Sequence, residues 1–295
     1  MTFFIFNLVN GLQLSMLIFL MAVGLTVIFG LMDILNLAHG AFYMVGAYFG
    51  YVVFQITDSF WVALAIGPLL TMALGFLLQY YVLQPLIDRG RTAHLDMALL
   101  TFGLLFFTIG LIDLVFFETL GLTFMSIDKP PALAGSIDIG IMYPTFRIFV
   151  IGLGLGVALS VWLLLDRTVI GAVVRAGVDD REMVRAMGVN VYLVFACVFA
   201  LGCWLAGLAG VVAGTGLSID VNMGVQILVP TLIVVVLGGL GSVKGCFLGA
   251  LIYGMTETMA QAYAPALSLF ATYFLLAAML IFRPQGFFGR APKTV

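Results

Sequence analysis

The chain has 295 residues, of which 63% are hydrophobic and 9% charged, and its formal net charge is −2. A soluble globular domain carries about 25% charged residues, so this chain lacks the polar surface needed to clothe a water-soluble particle. The apolar runs suit helices, which need roughly 20 residues per crossing, and the ~10-residue alternation of a β-barrel is absent from the sequence.

The expected fold is an all-α polytopic membrane protein. It forms a single transmembrane domain over residues 1–295, with about eight or nine helices and some broken or re-entrant segments. Apolar segments fall at 10–30, 40–56, 60–83, 96–118, 145–165, 191–215, 227–241, 246–262 and 267–282. The first has no basic residue before Arg89 and does not read as a cleaved signal peptide. No hydrophilic stretch is long enough for an ATPase or a soluble binding module, so neither is expected within the chain.

The glycine-rich stretches 31–56 and 226–245 are expected to be broken or re-entrant. Non-helical backbone at membrane depth is tolerated only where protein or a water-filled cavity covers it. The first stretch contains Asp33, Asn36, His39 and Gly40 in an apolar neighbourhood. Unpaired polar groups in hydrocarbon are costly, so these should face protein, water or a pathway. His39 is either a hydrogen-bonded structural residue or a proton carrier, and Asn36 can equally cap the helix that follows.

Basic residues cluster at Arg89 and Arg91, at Arg167, Arg175, Arg181 and Arg185, and at Arg283, Arg290 and Lys293. The excess of Lys and Arg in cytoplasmic loops places these three clusters inside and the loop 119–144, with Lys129, outside. Parity holds if 227–241 counts as a crossing. Gly202, Ala206, Gly210 and Gly214 share one helical face, and Gly46/Gly50, Gly152/Gly156 and Gly245/Gly249 are further close-approach pairs. They suit packing within the chain, a pore lining or a subunit contact. Segments 38–50 and 243–254 look loosely alike.

The stretch Arg175–Asn190 stands out, because six of its first 11 residues are charged: Arg175, Asp179, Asp180, Arg181, Glu182 and Arg185. Such an island between apolar runs must face water or a protein. Gly171 should loosen the end of the preceding span, and Arg175 to Met187 is expected to form a short helix. Met183 and Met187 share one face, near Ala176 and Val184. Gly188 is a natural helix stop and Asn190 tolerates a turn. The segment is either a solvated loop or a docking helix whose apolar face enters a groove.

Further along, Gly238–Gly245 (GGLGSVKG) looks like a P-loop but fails, because Gly245 rather than Ser or Thr follows Lys244. A re-entrant turn is the better reading. Glu257 and Gln261 lie at i, i+4 in a span, and Asp113 and Glu118 lie near the outer end of another. Either pair marks a polar pathway or an interfacial contact. Cys197, Cys203 and Cys246 lack metal spacing and read as small buried hydrophobes. No catalytic constellation and no nucleic-acid partner are expected.

Gly24–Tyr48, Arg175–Asn190 and Val229–Tyr253 together resemble the LivH family, over nearly the whole chain and in the same order. These are inner-membrane permeases of ABC importers for branched-chain amino acids, with relatives for other amino acids, amides and urea. The resemblance implies pairing with a second, LivM-like permease, two cytoplasmic ABC ATPases that bind ATP and Mg, and a periplasmic substrate-binding protein. The permease itself would be no enzyme and hold no cofactor or metal. It would sit among membrane lipid in a bacterial inner membrane, with its C-terminus cytoplasmic.

The resemblance also makes segment 171–190 the coupling segment to the ATPase, mapping onto Arg175, Asp180, Arg181, Glu182, Met187 and Gly188, with Asp179, Met183 and Arg185 among them. The family's Asn-x-Ala-His-Gly motif maps onto Asn36, Ala38, His39 and Gly40. Ala41 stands where the family often has a polar or acidic residue, so a substrate preference does not transfer. Asn36, His39, Gly40, Glu257 and Gln261 are the expected pathway residues. An ion-coupled secondary transporter is the alternative; it would use Asp33, His39 and Glu257 but leaves the charged island without a role.

Overall fold

The computed structural model describes residues 2–32, 36–88, 94–122, 125–138, 140, 142–179, 181–283 and 285–289. Asp33, Arg89, Arg91, Asp180, Arg290 and Lys293 lie outside the described residues, as do the side chains of Asp179, Arg181 and Glu182.

Each of the nine expected apolar segments is helical. Helix α1 (Thr2–Met32) is followed by α2 (His39–Thr57). Next come α3 (Phe60–Leu78), a π-helical turn (Gln79–Leu83) and α4 (Gln84–Asp88) in one continuous rod. Helix α5 (His94–Ile112) also ends in a π-helical stretch, Asp113–Thr119. A 3-10 turn (Pro131–Leu133) and an antiparallel hairpin, β1 (Ser136–Asp138) with β2 (Met142–Pro144), lead into α6 (Thr145–Arg167). Two short helices follow, α7 (Val169–Asp179) and α8 (Arg181–Ala186). The chain ends with α9 (Val191–Gly216), α10 (Met223–Gly238), α11 (Val243–Tyr263), a 3-10 turn (Pro265–Leu267) and α12 (Ser268–Phe282).

Among the described residues, six helical segments are long and apolar enough to cross a membrane: Thr2–Gly30, His39–Thr57, Phe60–Ile87, Leu95–Thr119, Thr145–Arg167 and Val191–Gly216. Helices α10 and α12 are apolar but shorter. The break expected in 31–56 falls between α1 and α2. The one expected in 226–245 is the turn between α10 and α11, where Gly239 (φ +93) and Gly241 (φ +79) adopt backbone that L residues disfavour. Ser242 then caps α11 by accepting from the Gly245 N–H at 3.1 Å. The C-terminal segment covers the turn, with the Phe287 N–H donating to the Leu237 carbonyl and the Phe288 N–H to the Gly238 carbonyl.

Helix α9 is the central post, with Phe195, Phe199, Cys203, Leu205 and Val211 nearly inaccessible. Its small residues let neighbours approach to backbone contact. A Cβ on Gly202 would meet Ile28 of α1, and one on Gly210 would meet the Tyr43 carbonyl of α2. Gly46 lies against Gly207, and Gly245 against Gly238. These stripes therefore pack within the chain, where close van der Waals contact replaces the hydrophobic force that lipid does not supply. The Gly152/Gly156 pair of α6 differs, since a Cβ on either would meet nothing within 4 Å. Large apolar side chains such as Phe107, Phe274 and Ile281 face outward.

Cations stand at both ends of the bundle. Arg167, Arg175 and Lys244 gather where α6 ends and α11 begins, and Lys244 Nζ lies 3.3 Å from the Asp166 carboxylate. At the opposite end Lys129 sits over the Phe146 ring, at 5.5 Å from its centroid. There an isolated bridge joins Met125 to Ile219.

Candidate functional site

The charged segment is built as an elbow on α6. Thr168 leaves the helix with extended backbone (φ −108°, ψ 160°). Its hydroxyl donates to the Leu164 carbonyl at 2.5 Å and accepts from the Gly171 N–H at 3.1 Å, so one residue closes α6 and opens α7. A Cβ on Gly171 would overlap the Leu165 carbonyl. Gly171 thus permits a tight fold-back rather than loosening the span. The Arg175 guanidinium donates to the same Leu165 carbonyl, one of those left unpaired at the end of α6.

The expected helix over Arg175 to Met187 starts earlier, at Val169, because Thr168 caps it there; its described helical residues are Val169–Asp179 and Arg181–Ala186. On α7, Gly171, Val174 and Gly177 turn inward at spacings of three, while Val169 and Ile170 are exposed. On α8, Val184 is buried, whereas Met183 is 60% and Met187 75% exposed. The apolar residues expected on one face are thus divided between an inner anchor and an outer pair.

Gly188 ends α8 with φ +84°. Its N–H donates to the Arg185 carbonyl at 3.0 Å, and the Val189 N–H donates to Val184 at 3.4 Å. This is the two-bond αL stop that favours glycine. Asn190 then caps α9, accepting from the Leu193 N–H at 3.2 Å. The Arg185 guanidinium lies 5.1 Å from the Tyr192 ring centroid. The elbow is therefore tied to α6 at one end and to α9, the central post, at the other.

The residues expected to line a pathway do not converge. Asn36 and His39 are buried, and the His39 Nε2 donates to the Met21 carbonyl at 3.1 Å. Met21 lies eleven residues before the end of α1 at Met32, so α2 starts deep beside α1. Asn36 Oδ1 accepts from the Ala38 N–H at 3.1 Å, shaping the turn into α2. Among the described residues, Asn36 Nδ2 and His39 Nδ1 are buried without a hydrogen-bond partner. Gly40 packs against the Gly224 carbonyl.

Glu257 and Gln261 pair with each other at 2.6 Å on a partly exposed face of α11. That part of α11 lies beside Gly11, ten residues before Met21, or about 15 Å along α1. Among the described residues no cluster of three His, Cys, Asp or Glu is placed to hold a metal ion. Cys203 and Cys246 are buried, but Cys197 is exposed.

Two charged residues emerge only from the structure. Lys244 pairs with Asp166 as described. Arg147 Nη1 and the Tyr143 hydroxyl both donate to Asn10 Oδ1, at 2.6 Å and 2.8 Å. Burial pushes the Tyr143 hydroxyl pKa up and Arg147 partly offsets it, so the hydroxyl remains a donor at neutral pH. In the sequence the only sign of either is a lone charge inside an apolar segment.

These features define an all-α, multi-pass membrane protein whose charge-bearing helical elbow stands at one end of a glycine-packed bundle. The chain belongs to the family described as the permease component of branched-chain amino acid transport systems, whose model matches residues 7–283. It is 28% identical to the high-affinity branched-chain amino acid transport system permease protein BraD of Pseudomonas aeruginosa, covering 96% of this chain and 95% of that one. It is 26% identical to the corresponding LivH of Escherichia coli, over 98% of this chain and 96% of the relative. The permease protein LivM of the same organism is 28% identical over 92% of this chain and 68% of its own length. No solved structure matches the chain.

Proposed function

We propose that this permease is a subunit of an ATP-driven importer and that residues 171–190 are its coupling segment. The observation that carries this reading is the α7–α8 elbow, which offers exposed Met183 and Met187 while being fastened to two long helices. A rigid outer element joined to transmembrane helices at both ends can turn the movement of a docked partner into helix rotation. The apolar methionine pair would enter a groove of the ATPase, and the surrounding charges would set its register.

The gathering of Arg167, Arg175 and Lys244 at the elbow's end supports a cytoplasmic position for that end and for the C-terminus. Similarity to both LivH and LivM relatives supports pairing with a second, related permease. A periplasmic binding protein would deliver branched-chain amino acids, or related amino acids and amides, to the interface between the two permeases. Glu257 and Gln261, on a partly exposed face, are better placed for that interface than the enclosed His39.

The test is reconstitution of the chain with a second permease, paired ATPases and a binding protein in liposomes. Leucine uptake should require ATP on the ATPase side and should persist when proton and sodium gradients are collapsed. Uptake by the chain alone, driven by an ion gradient, would instead establish the secondary transporter.

A further inference from the structure

An apolar cavity of about 410 Å³ lies between α1, α6 and α11, lined by residues that include Phe19, Leu159, Trp162, Lys244, Phe247 and Leu248. Leu159 and Leu248 are exposed, so the cavity opens on the outer surface of the bundle. One rim is cationic. The Arg167 guanidinium lies 5.7 Å from the Trp162 ring centroid and the Lys244 ammonium 6.0 Å from it. Asp166, the one acid paired there, neutralises one of these two charges and leaves a net positive rim. The Trp162 indole N–H is buried and lacks a hydrogen-bond partner among the described residues.

These observations share one explanation. Tryptophan settles at the membrane–water boundary because its ring is apolar and its N–H seeks a polar partner. Lys244 and Asp166 stand at the ends of α11 and α6, and the rest of the lining runs inward along both helices and α1. A ligand that fits must bring hydrocarbon for the cavity and negative charge for the rim. We propose that this cavity is a binding site for an anionic phospholipid. One acyl chain lies against Leu159, Phe247 and Leu248, and the phosphate sits at the rim beside Lys244 and Arg167. A protein segment would have to carry the same combination of acyl-like surface and charge at membrane depth, whereas anionic lipid has it already.

The purified chain in nanodiscs tests this with phosphatidylglycerol or phosphatidylcholine brominated on the acyl chains, read by tryptophan fluorescence. Phosphatidylglycerol should quench more strongly, and the excess should vanish in Trp162→Phe, since Trp61 and Trp204 are the other two indoles. The joint variant Lys244→Gln, Arg167→Gln should weaken phosphatidylglycerol binding by roughly tenfold, as expected for removal of charge-assisted bonds. Leu159→Phe, which partly fills the exposed cavity without touching a charge, should lower it too. Equal quenching by both lipids, or a Trp162 response to inorganic phosphate alone, would overturn the proposal. So would a label at Leu159→Cys that the second permease or the ATPase protects and phosphatidylglycerol does not.

Discussion

The Arg175 guanidinium donates to the Leu165 carbonyl, so a residue of the charged elbow closes the end of membrane helix α6. Helix α6 ends in carbonyls without intrahelical partners, and a cation there also opposes the negative end of its dipole. The same bond ties α7 back to the end of α6. Arg175→Ala should leave the chain in the membrane at normal level but cut ATP-driven uptake at least about tenfold, the scale of a positional loss. Lysine offers a charge without the planar fork, so Arg175→Lys should recover part of it. Uptake in membrane vesicles, normalised to permease content, is the measurement. Undiminished uptake by Arg175→Ala would remove this bond from the coupling path.

Gly188 provides an independent handle on the same segment. With φ +84°, a side chain other than glycine costs about 1–2 kcal/mol there, and least for asparagine. A Cβ would meet nothing within 4 Å, so the cost is backbone conformation and not a clash. Gly188→Val should therefore unwind the stop of α8, swing Met183 and Met187 from their positions, and lower uptake with little loss of folded protein. Gly188→Asn should transport nearly as well as the parent. Equal transport by both variants, measured alongside their thermal melting, would show that the stop geometry is unimportant for coupling.

The elements that sequence exposes best are those governed by one dominant force. The nine apolar segments could be placed as helical from run length, because desolvation of the backbone leaves few alternatives in lipid. The stop at Gly188 was equally plain, since it meets a local need of φ. The start of α7 at Val169 rather than Arg175 was not, for it depends on Thr168 serving α6 and α7 at once. The placement of His39 was also hidden: its partner is the Met21 carbonyl, 18 residues away, and a backbone acceptor leaves no mark in composition. The Lys244–Asp166 pair, 78 residues apart, was hidden too, because Asp166 stands in sequence beside Arg167 and Lys244 among glycines.

His39 is enclosed by α1, α2 and α9, with a Cβ on Gly24 falling 3.0 Å from its ring. This favours the structural reading over the proton carrier. His39→Ala should destabilise the chain by about 2–4 kcal/mol through lost packing and an unmet carbonyl. His39→Gln keeps an N–H donor and cannot carry protons near neutral pH. It should melt closer to the parent and retain uptake per folded molecule. A fully folded but inactive His39→Gln would restore a direct role in transport.

Glycine pairs with the same spacing should respond in opposite ways. Gly46 lies on the Gly207 backbone, whereas a Cβ on Gly156 meets nothing within 4 Å. Gly46→Leu must push α2 from α9 and should abolish accumulation of folded protein, since overpacking of a tight interface costs 1–3 kcal/mol or more. Gly156→Leu should leave the isolated chain's melting temperature nearly unchanged. If it nevertheless blocks assembly with the second permease, seen by copurification, the open face of α6 is the contact between subunits. Similar melting of both variants would contradict the packing of α2 on α9.

At the end remote from the elbow, Asn10 is held by two donors, the Tyr143 hydroxyl at 2.8 Å and Arg147 at 2.6 Å. Asn10 belongs to α1, Arg147 to the first turn of α6, and Tyr143 to the hairpin between α5 and α6. One acceptor therefore fastens the 119–144 connection to two membrane helices. Tyr143→Phe removes one neutral bond and should cost about 1 kcal/mol, while Arg147→Met removes a charge-assisted one and should cost about 1.5–3 kcal/mol. Asn10→Ala leaves both donors unmet, so it should destabilise at least as much as Arg147→Met. The double variant Tyr143→Phe, Asn10→Ala should melt no lower than Asn10→Ala alone, because the two changes remove the same bond. Thermal unfolding in detergent measures all four, and strict additivity of the double variant would show that Tyr143 and Asn10 do not interact.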